Sequence, residues 1–179
     1  MKVLLVIGSF AGMEGVSYAL HRWVMHRIGM RWHGSHHRPA RARWEANDIF
    51  PALFSVIGIA MFALATMGPR IDALWWCGIG VTAYGVAYLV VHEIYIHRRL
   101  SLSVPPLSYF DRVRDSHRIH HLFGGEPYGM LFPVVPRDLR ARAAARAAET
   151  DRDTDARPSV PEADVLDRSD STRSTRSRL

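Results

Sequence analysis

The sequence predicts an all-α, integral membrane helical bundle, and three observations carry that prediction. Three runs of 18 or 19 residues are almost free of charge, all ten histidines fall into four short clusters at or beyond the ends of those runs, and residues 137 to 179 are strongly polar. Averages conceal this, because 48 % hydrophobic and 22 % charged residues over 179 positions describe an ordinary soluble protein until the charges are located. A chain of this length makes one functional domain rather than two.

Val3 to Leu20 holds one charge, Glu14, whereas Ile49 to Met67 and Ala73 to Val91 hold none. At a rise of about 1.5 Å per residue each run reaches roughly 27 to 29 Å as a helix, close to the thickness of a bilayer core. Three spans are expected. The first begins like a secretory signal, with Lys2 ahead of an apolar stretch, but no small-residue cleavage site follows and His21 opens a motif at its end. It is therefore read as a span. Asn47 and Asp48 precede the second run, where such residues cap helices, and capping is the role expected of them ahead of one behind the histidines. The lone Cys77 lies inside the third run, so packing is its expected role and there is neither a disulfide framework nor a cysteine metal site.

A formal charge of +6 does not point to nucleic acid, because the arginines flank the spans (Arg22, Arg27, Arg31 and Arg38, then Arg98 and Arg99) rather than line a soluble face with aromatics. They report topology instead: Lys and Arg accumulate in cytoplasmic loops, which puts 21 to 48 and everything after 97 on the cytoplasmic side and "GPRID" at 68 to 72 in a turn on the far side. All four histidine clusters then share one face. Residues 1 to 136 make the membrane-embedded domain. The remainder, 137 to 179, has ten Arg, nine Asp or Glu and no aromatic residue, too little apolar surface to offset ordering it. A short helix over Leu139 to Ala148 followed by disorder is expected there.

The clusters are "HRWVMH" (His21, His26), "HGSHH" (His33, His36, His37), "HEIYIH" (His92, His97) and "HRIHH" (His117, His120, His121). Neutral imidazole is the commonest protein ligand for iron, zinc and copper. On a helix His117 and His121 face one way and reach one ion, while His120 points toward a neighbouring position, and the same holds for His33, His36 and His37. The pairs are spaced by five, which turns the second imidazole about 140° from the first, so each pair reaches two ions, or one if the helix end unwinds. The order pair-then-triplet occurs twice, five histidines per half, and ten imidazoles suit two ions at about five each. A cytoplasmic, histidine-rich di-metal cap on the bundle follows. Glu14, seven residues and about 10 Å of helix before His21, is too far for direct ligation; a charge inside a span faces the bundle interior, so helix packing or a place behind the ligands is expected.

The segments "MEGVSYALHRWVMH", "WHGSHHRP", "WEANDIF", "GVTAYGVAYLVVHEIYIHRR" and "YGMLFPV" make Gly12 to Pro136 resemble the membrane fatty acid hydroxylase and sterol desaturase superfamily, and within it the bacterial β-carotene hydroxylases. The resemblance implies a non-haem di-iron monooxygenase of the bacterial inner membrane, with iron on His21, His26, His33, His36, His37, His92, His97, His117, His120 and His121. It implies O2 as co-substrate and a carotenoid hydroxylated at C3 of each β-ionone ring. The basic residues beside the clusters, in a chain with no nucleotide or flavin motif, suit an acidic reduced ferredoxin as electron donor, the alternative being that they only fix topology and bind anionic lipid. Two departures stand out. Only "LFGGEP" separates the last triplet from "YGML", where the family often has a longer basic segment, and three spans are counted where the family is often described with four. The nearest rival, an acyl or sterol hydroxylase or desaturase, shares the metal site. A metal transporter would place its ligands near the bilayer midplane, and these lie at span ends.

Overall fold

The computed structural model describes residues 1–38, 44–68, 72–100, 102 and 104–155. Among them there is no strand. Helix α1 (Lys2–Leu20) runs directly into a π-helix, π1 (His21–Ile28); α2 (Met30–His33) is a single turn; α3 (Ile49–Ala65) follows; α4 (Asp72–Tyr88) runs into a second π-helix, π2 (Leu89–Ile96); α5 (Ser108–Phe123) and α6 (Arg137–Asp155) complete the set. Three helical stretches are long and apolar enough to cross a membrane: Lys2–Ile28, Ala46–Ala65 and Asp72–Ile96. The first and third outrun the uncharged segments because the π-helices carry them through the histidine pairs.

Helix α4 packs against both α1 and α3. Gly80 permits the closest approach, since a Cβ there would collide with the Val6 carbonyl and the Ser9 hydroxyl of α1. Large apolar side chains such as Leu4, Ile7, Leu53, Val56, Ile59 and Val86 face outward, which suits a surface solvated by acyl chains rather than water. The small buried core joins Tyr84, Val91, Val113 and Leu131, with Phe10 and Met13 of α1 packed on it. It ties the spans to α5 and to the segment after it. Helix α5 ends at Gly124, whose φ of +66° lies in the left-handed region that glycine enters without penalty, and whose N–H caps the His120 carbonyl at 2.8 Å.

The chain divides into two units, Met1–Arg140 and Ala141–Leu179. The first contains every histidine. The second continues a helix that runs to Asp155, beyond the expected stop at Ala148; six alanines between 141 and 148 favour it. The disorder expected further along falls on residues 156 to 179, outside the described residues, as do Arg41, Arg43 and the centre of the expected turn at 68 to 72.

Candidate metal centre

The histidine pairs sit on π-helices, and this settles how a spacing of five is used. A π-helix bonds each N–H to the carbonyl five residues back, so side chains five apart return to one face. The His97 N–H bonds the carbonyl of His92 itself, at 3.0 Å, and Gly29 closes π1 on Val24 at 2.8 Å. His21 and His26 rings come within 5.0 Å of one another, and His92 and His97 within 4.7 Å. Each pair therefore serves one group. Widening the helix achieves what unwinding was expected to do.

Two groups of imidazoles result, each with its potential ligand nitrogens within 4.8 Å of one another. The first is His21, His26, His33, His37 and His120; the second is His36, His92, His97 and His117. The halves of the sequence are interleaved, with His120 crossing into the first group and His36 into the second. His33 closes α2, whereas His36 and His37 lie in the turns after it, so "HGSHH" is not a continuous helix. On α5, His117 and His120 diverge as expected. His121 lies between the groups, its ring 4.4 Å from both His37 and His117 and 4.9 Å from His36.

Hydrogen bonds behind the rings fix which nitrogens face inward. The Nδ1–H of His21 donates to the Tyr128 carbonyl (3.0 Å), that of His33 to Asn47 Oδ1 (2.8 Å), that of His120 to the Gly125 carbonyl (2.6 Å) and that of His92 to Glu93 Oε1 (2.8 Å). Each of these rings thus turns an unprotonated Nε2 toward its group. His21 Nε2 and His33 Nε2 consequently face each other at 3.1 Å with no proton between them. A metal ion bound by both would reconcile two lone pairs at that distance.

Other features fit the same ion. Imidazole nitrogens bound about 2.1 Å from one metal stand roughly 3.0 to 3.4 Å apart at neighbouring positions. The Nε2 pairs His26–His120 (3.0 Å), His33–His37 (3.2 Å) and His97–His117 (2.9 Å) match that spacing. His36, His92 and His121 each keep a buried Nε2 without any partner, a costly arrangement that a metal would relieve. Burial drives the imidazole pKa down to about 4 at His33 and His37 and to about 3 at His97, His120 and His121, so these rings are neutral near pH 7. An all-nitrogen donor set of neutral imidazoles suits iron, zinc or copper.

Several supporting residues escape sequence reasoning. Asn47 is buried and turns its amide oxygen to His33 instead of capping the second span. Asp48 does take part in capping, its Oδ2 accepting the Glu45 N–H (3.0 Å) in a capping box at the start of the helical stretch, and it also accepts both Arg99 Nη1 (2.6 Å) and Nη2 (2.7 Å), with Arg99 reaching on to Glu93 Oε2 (2.8 Å). Arg99, expected only to report topology, completes a chain from Asp48 through Glu93 to His92. The acidic residue directly after His92 was the available signal. Glu14 accepts the N–H groups of Met130 (2.9 Å), Leu131 (3.0 Å) and Phe132 (2.9 Å) and the Tyr84 hydroxyl (2.7 Å), but no histidine. It holds the segment whose Tyr128 carbonyl orients His21.

Beside the histidine layer lies a cavity of about 1000 Å³ between α1 and α3, with α4 as its floor. Met13 and Leu20, Phe54 and Phe62, and Val81 and Gly85 make it apolar along its length. Glu93, Arg99 and Asp48 also line it, and Glu93 is hydrogen-bonded to His92 behind that wall.

Comparison with known proteins agrees with this geometry. The fatty acid hydroxylase family matches residues 6–138. The chain is 37 % identical to a β-carotene hydroxylase of Pseudescherichia vulneris, over 87 % of this chain and 94 % of that protein. It is 32 % identical to one of Paracoccus sp. (83 % and 97 %) and 34 % identical to one of Pantoea ananas (82 % and 87 %). No solved structure matches significantly. The match spans all four histidine clusters and the residues that orient them, and the chain belongs to the fatty acid hydroxylase family.

Proposed function

We propose that the protein hydroxylates C3 and C3′ of β-ionone rings, converting β-carotene through β-cryptoxanthin to zeaxanthin, and canthaxanthin to astaxanthin where rings carry a 4-keto group. The observation that carries this reading is the apolar cavity of about 1000 Å³ that reaches Tyr88 and Glu93, the two residues in contact with His92 of the second group of buried imidazoles. The bacterial relatives are named β-carotene hydroxylases.

Two iron ions held by the ten histidines, nine in the two groups and His121 between them, supply when bound the oxygen activation that no side chain here can provide. The chain's own residues do the rest. Phe50 to Phe62 spans twelve residues of α3, about 18 Å of helix, enough to grip one ring and much of a polyene. Apolar walls exclude water from the reacting end. Tyr88 stacks on His92 at 4.6 Å and also lines the cavity, so substrate and histidine layer meet across one ring.

Placing one oxygen atom of O2 in a C–H bond and releasing the other as water consumes two electrons and two protons. The chain has no nucleotide or flavin motif, and its arginines beside the clusters suit an acidic reduced ferredoxin as donor. Turnover then declines as ionic strength rises, and salt-independent turnover at limiting ferredoxin counts against that partner. The arginine distribution supports reading the histidines as lying on the cytoplasmic side of a bacterial inner membrane.

The test is the pigment profile of cells that accumulate β-carotene and express the chain, beside His36→Ala and His120→Ala. Zeaxanthin and its mono-hydroxylated precursor are expected only with the intact protein. Unchanged β-carotene, with protein verified in the membrane, rejects this substrate and turns attention to keto-carotenoids, then to acyl or sterol substrates.

A further inference from the structure

The two imidazole groups differ in what stands behind them. Among the described residues, the first group is backed by neutral oxygens: the carbonyls of Tyr128 and Gly125 and the amide of Asn47. The second is backed by carboxylates. Glu93 Oε1 accepts His92 Nδ1–H at 2.8 Å, and Glu45 Oε2 stands 3.6 Å from His36 Nδ1. Arg99 does not cancel that charge, because its guanidinium is shared between Glu93 and a bidentate pairing with Asp48. Three carboxylates and one guanidinium therefore flank the second group, and Glu45 Oε2 is itself buried without a hydrogen-bond donor.

A carboxylate behind an imidazole makes that imidazole a stronger donor and stabilises positive charge at the metal, more so where water is excluded. A carbonyl fixes the ring in the same tautomer without adding charge. The two groups thus differ in the charge that stands behind them.

We propose that the two metal positions are inequivalent: the position of His36, His92, His97 and His117 is the tighter one, and Glu93, held by Arg99 and Asp48, is the positioning residue that makes it so. The inference rests on the two-metal reading of the histidines. It implies that this position would fill first.

The test is titration of metal-depleted, full-length protein in detergent with Co(II), following visible absorption. Two equivalents are expected to bind in two resolved steps, their affinities separated by about tenfold or more. Glu93→Gln keeps a hydrogen-bond acceptor for His92 and removes the charge; it is expected to weaken the tighter step about tenfold and leave the weaker step in place. Asn47→Asp places a charge behind His33 and is expected to tighten the weaker step, so the steps merge from the opposite direction. This second variant decides the matter if Glu93→Gln does not accumulate. Two equal steps in the unaltered protein, or equal weakening of both by Glu93→Gln, overturns the inequivalence while leaving a two-metal centre. Binding of a single equivalent overturns the two-metal reading as well.

Discussion

Glu14 Oε1 accepts the backbone N–H of Met130 at 2.9 Å, joining the middle of the first span to a segment 116 residues later. The same carboxylate takes the N–H groups of Leu131 and Phe132 and the hydroxyl of Tyr84. An ionisable group inside a span is costly, and here four donors compensate it. The segment it holds carries the Tyr128 carbonyl that orients His21, and Tyr109 fixes its far side through the Leu131 carbonyl at 2.6 Å.

Replacing Glu14 by Gln presents an NH2 group to N–H donors, and leaving such donors unpaired costs about 1–3 kcal/mol each. Glu14→Gln is therefore expected to loosen residues 130 to 132, free His21, and lower both bound metal and hydroxylated product several-fold. Metal per purified chain, measured beside the pigment profile, checks this. Normal metal content and product would show that the carboxylate serves only to pack α1 against α4.

Asn47 is expected to act through His33 alone. Asn47→Ala removes the acceptor for His33 Nδ1–H and lets the ring adopt the other tautomer or turn away, a loss that typically costs 10–100-fold in metal affinity. Helix α3 should be unaffected, since Asn47 lies in the short turn Ala46–Asp48 ahead of it. Unchanged helicity by circular dichroism with reduced metal retention during dialysis against a chelator is the expected pair of results.

What could be read from the chain beforehand divides along physical lines. Spans were legible because length and absence of charge are local properties, and the histidines because ten in four spaced clusters is a pattern in one dimension. The repeated spacing of five also held the π-helices, yet an α-helical frame turns it into a divergence of 140°. Exchange of His36 and His120 between groups was hidden, since it follows from how α5 meets the turn after α2. Asn47 and Asp48 look like caps in sequence and Asp48 is one, but only tertiary packing brings His33 to Asn47 and Arg99 to Asp48. Glu14 was placed on the correct interior face, but its partners lie 70 or more residues away.

Gly80 offers a test of the bundle separate from the metal. Its missing Cβ lets α4 lie directly against the α1 backbone, so Gly80→Val must push the helices apart and carry π1 away from π2. Reduced accumulation and a melting temperature several degrees lower in detergent are expected. Gly8→Ala is the control: nothing lies within 4 Å of its position, and it should behave like the unaltered protein.

The last prediction separates substrate from metal. Gly58 of α3 lines the cavity, eight residues and about 12 Å along the helix from Phe50, and a Cβ there would meet only Thr82 Oγ1, at 3.9 Å. A large side chain at this position therefore enters the cavity instead of disturbing the fold. Gly58→Phe leaves every histidine and its hydrogen-bond partner in place, so iron content should stay normal. It obstructs the path of a polyene, so β-carotene hydroxylation should fall at least about tenfold, because a well-packed apolar contact turned into a clash costs roughly 1–3 kcal/mol. A substrate reduced to one ring and a short side chain, such as β-ionone, needs only the end nearest the histidines and should lose much less. If both substrates are affected equally, the polyene does not lie along α3, and its path must be sought on another face of α4.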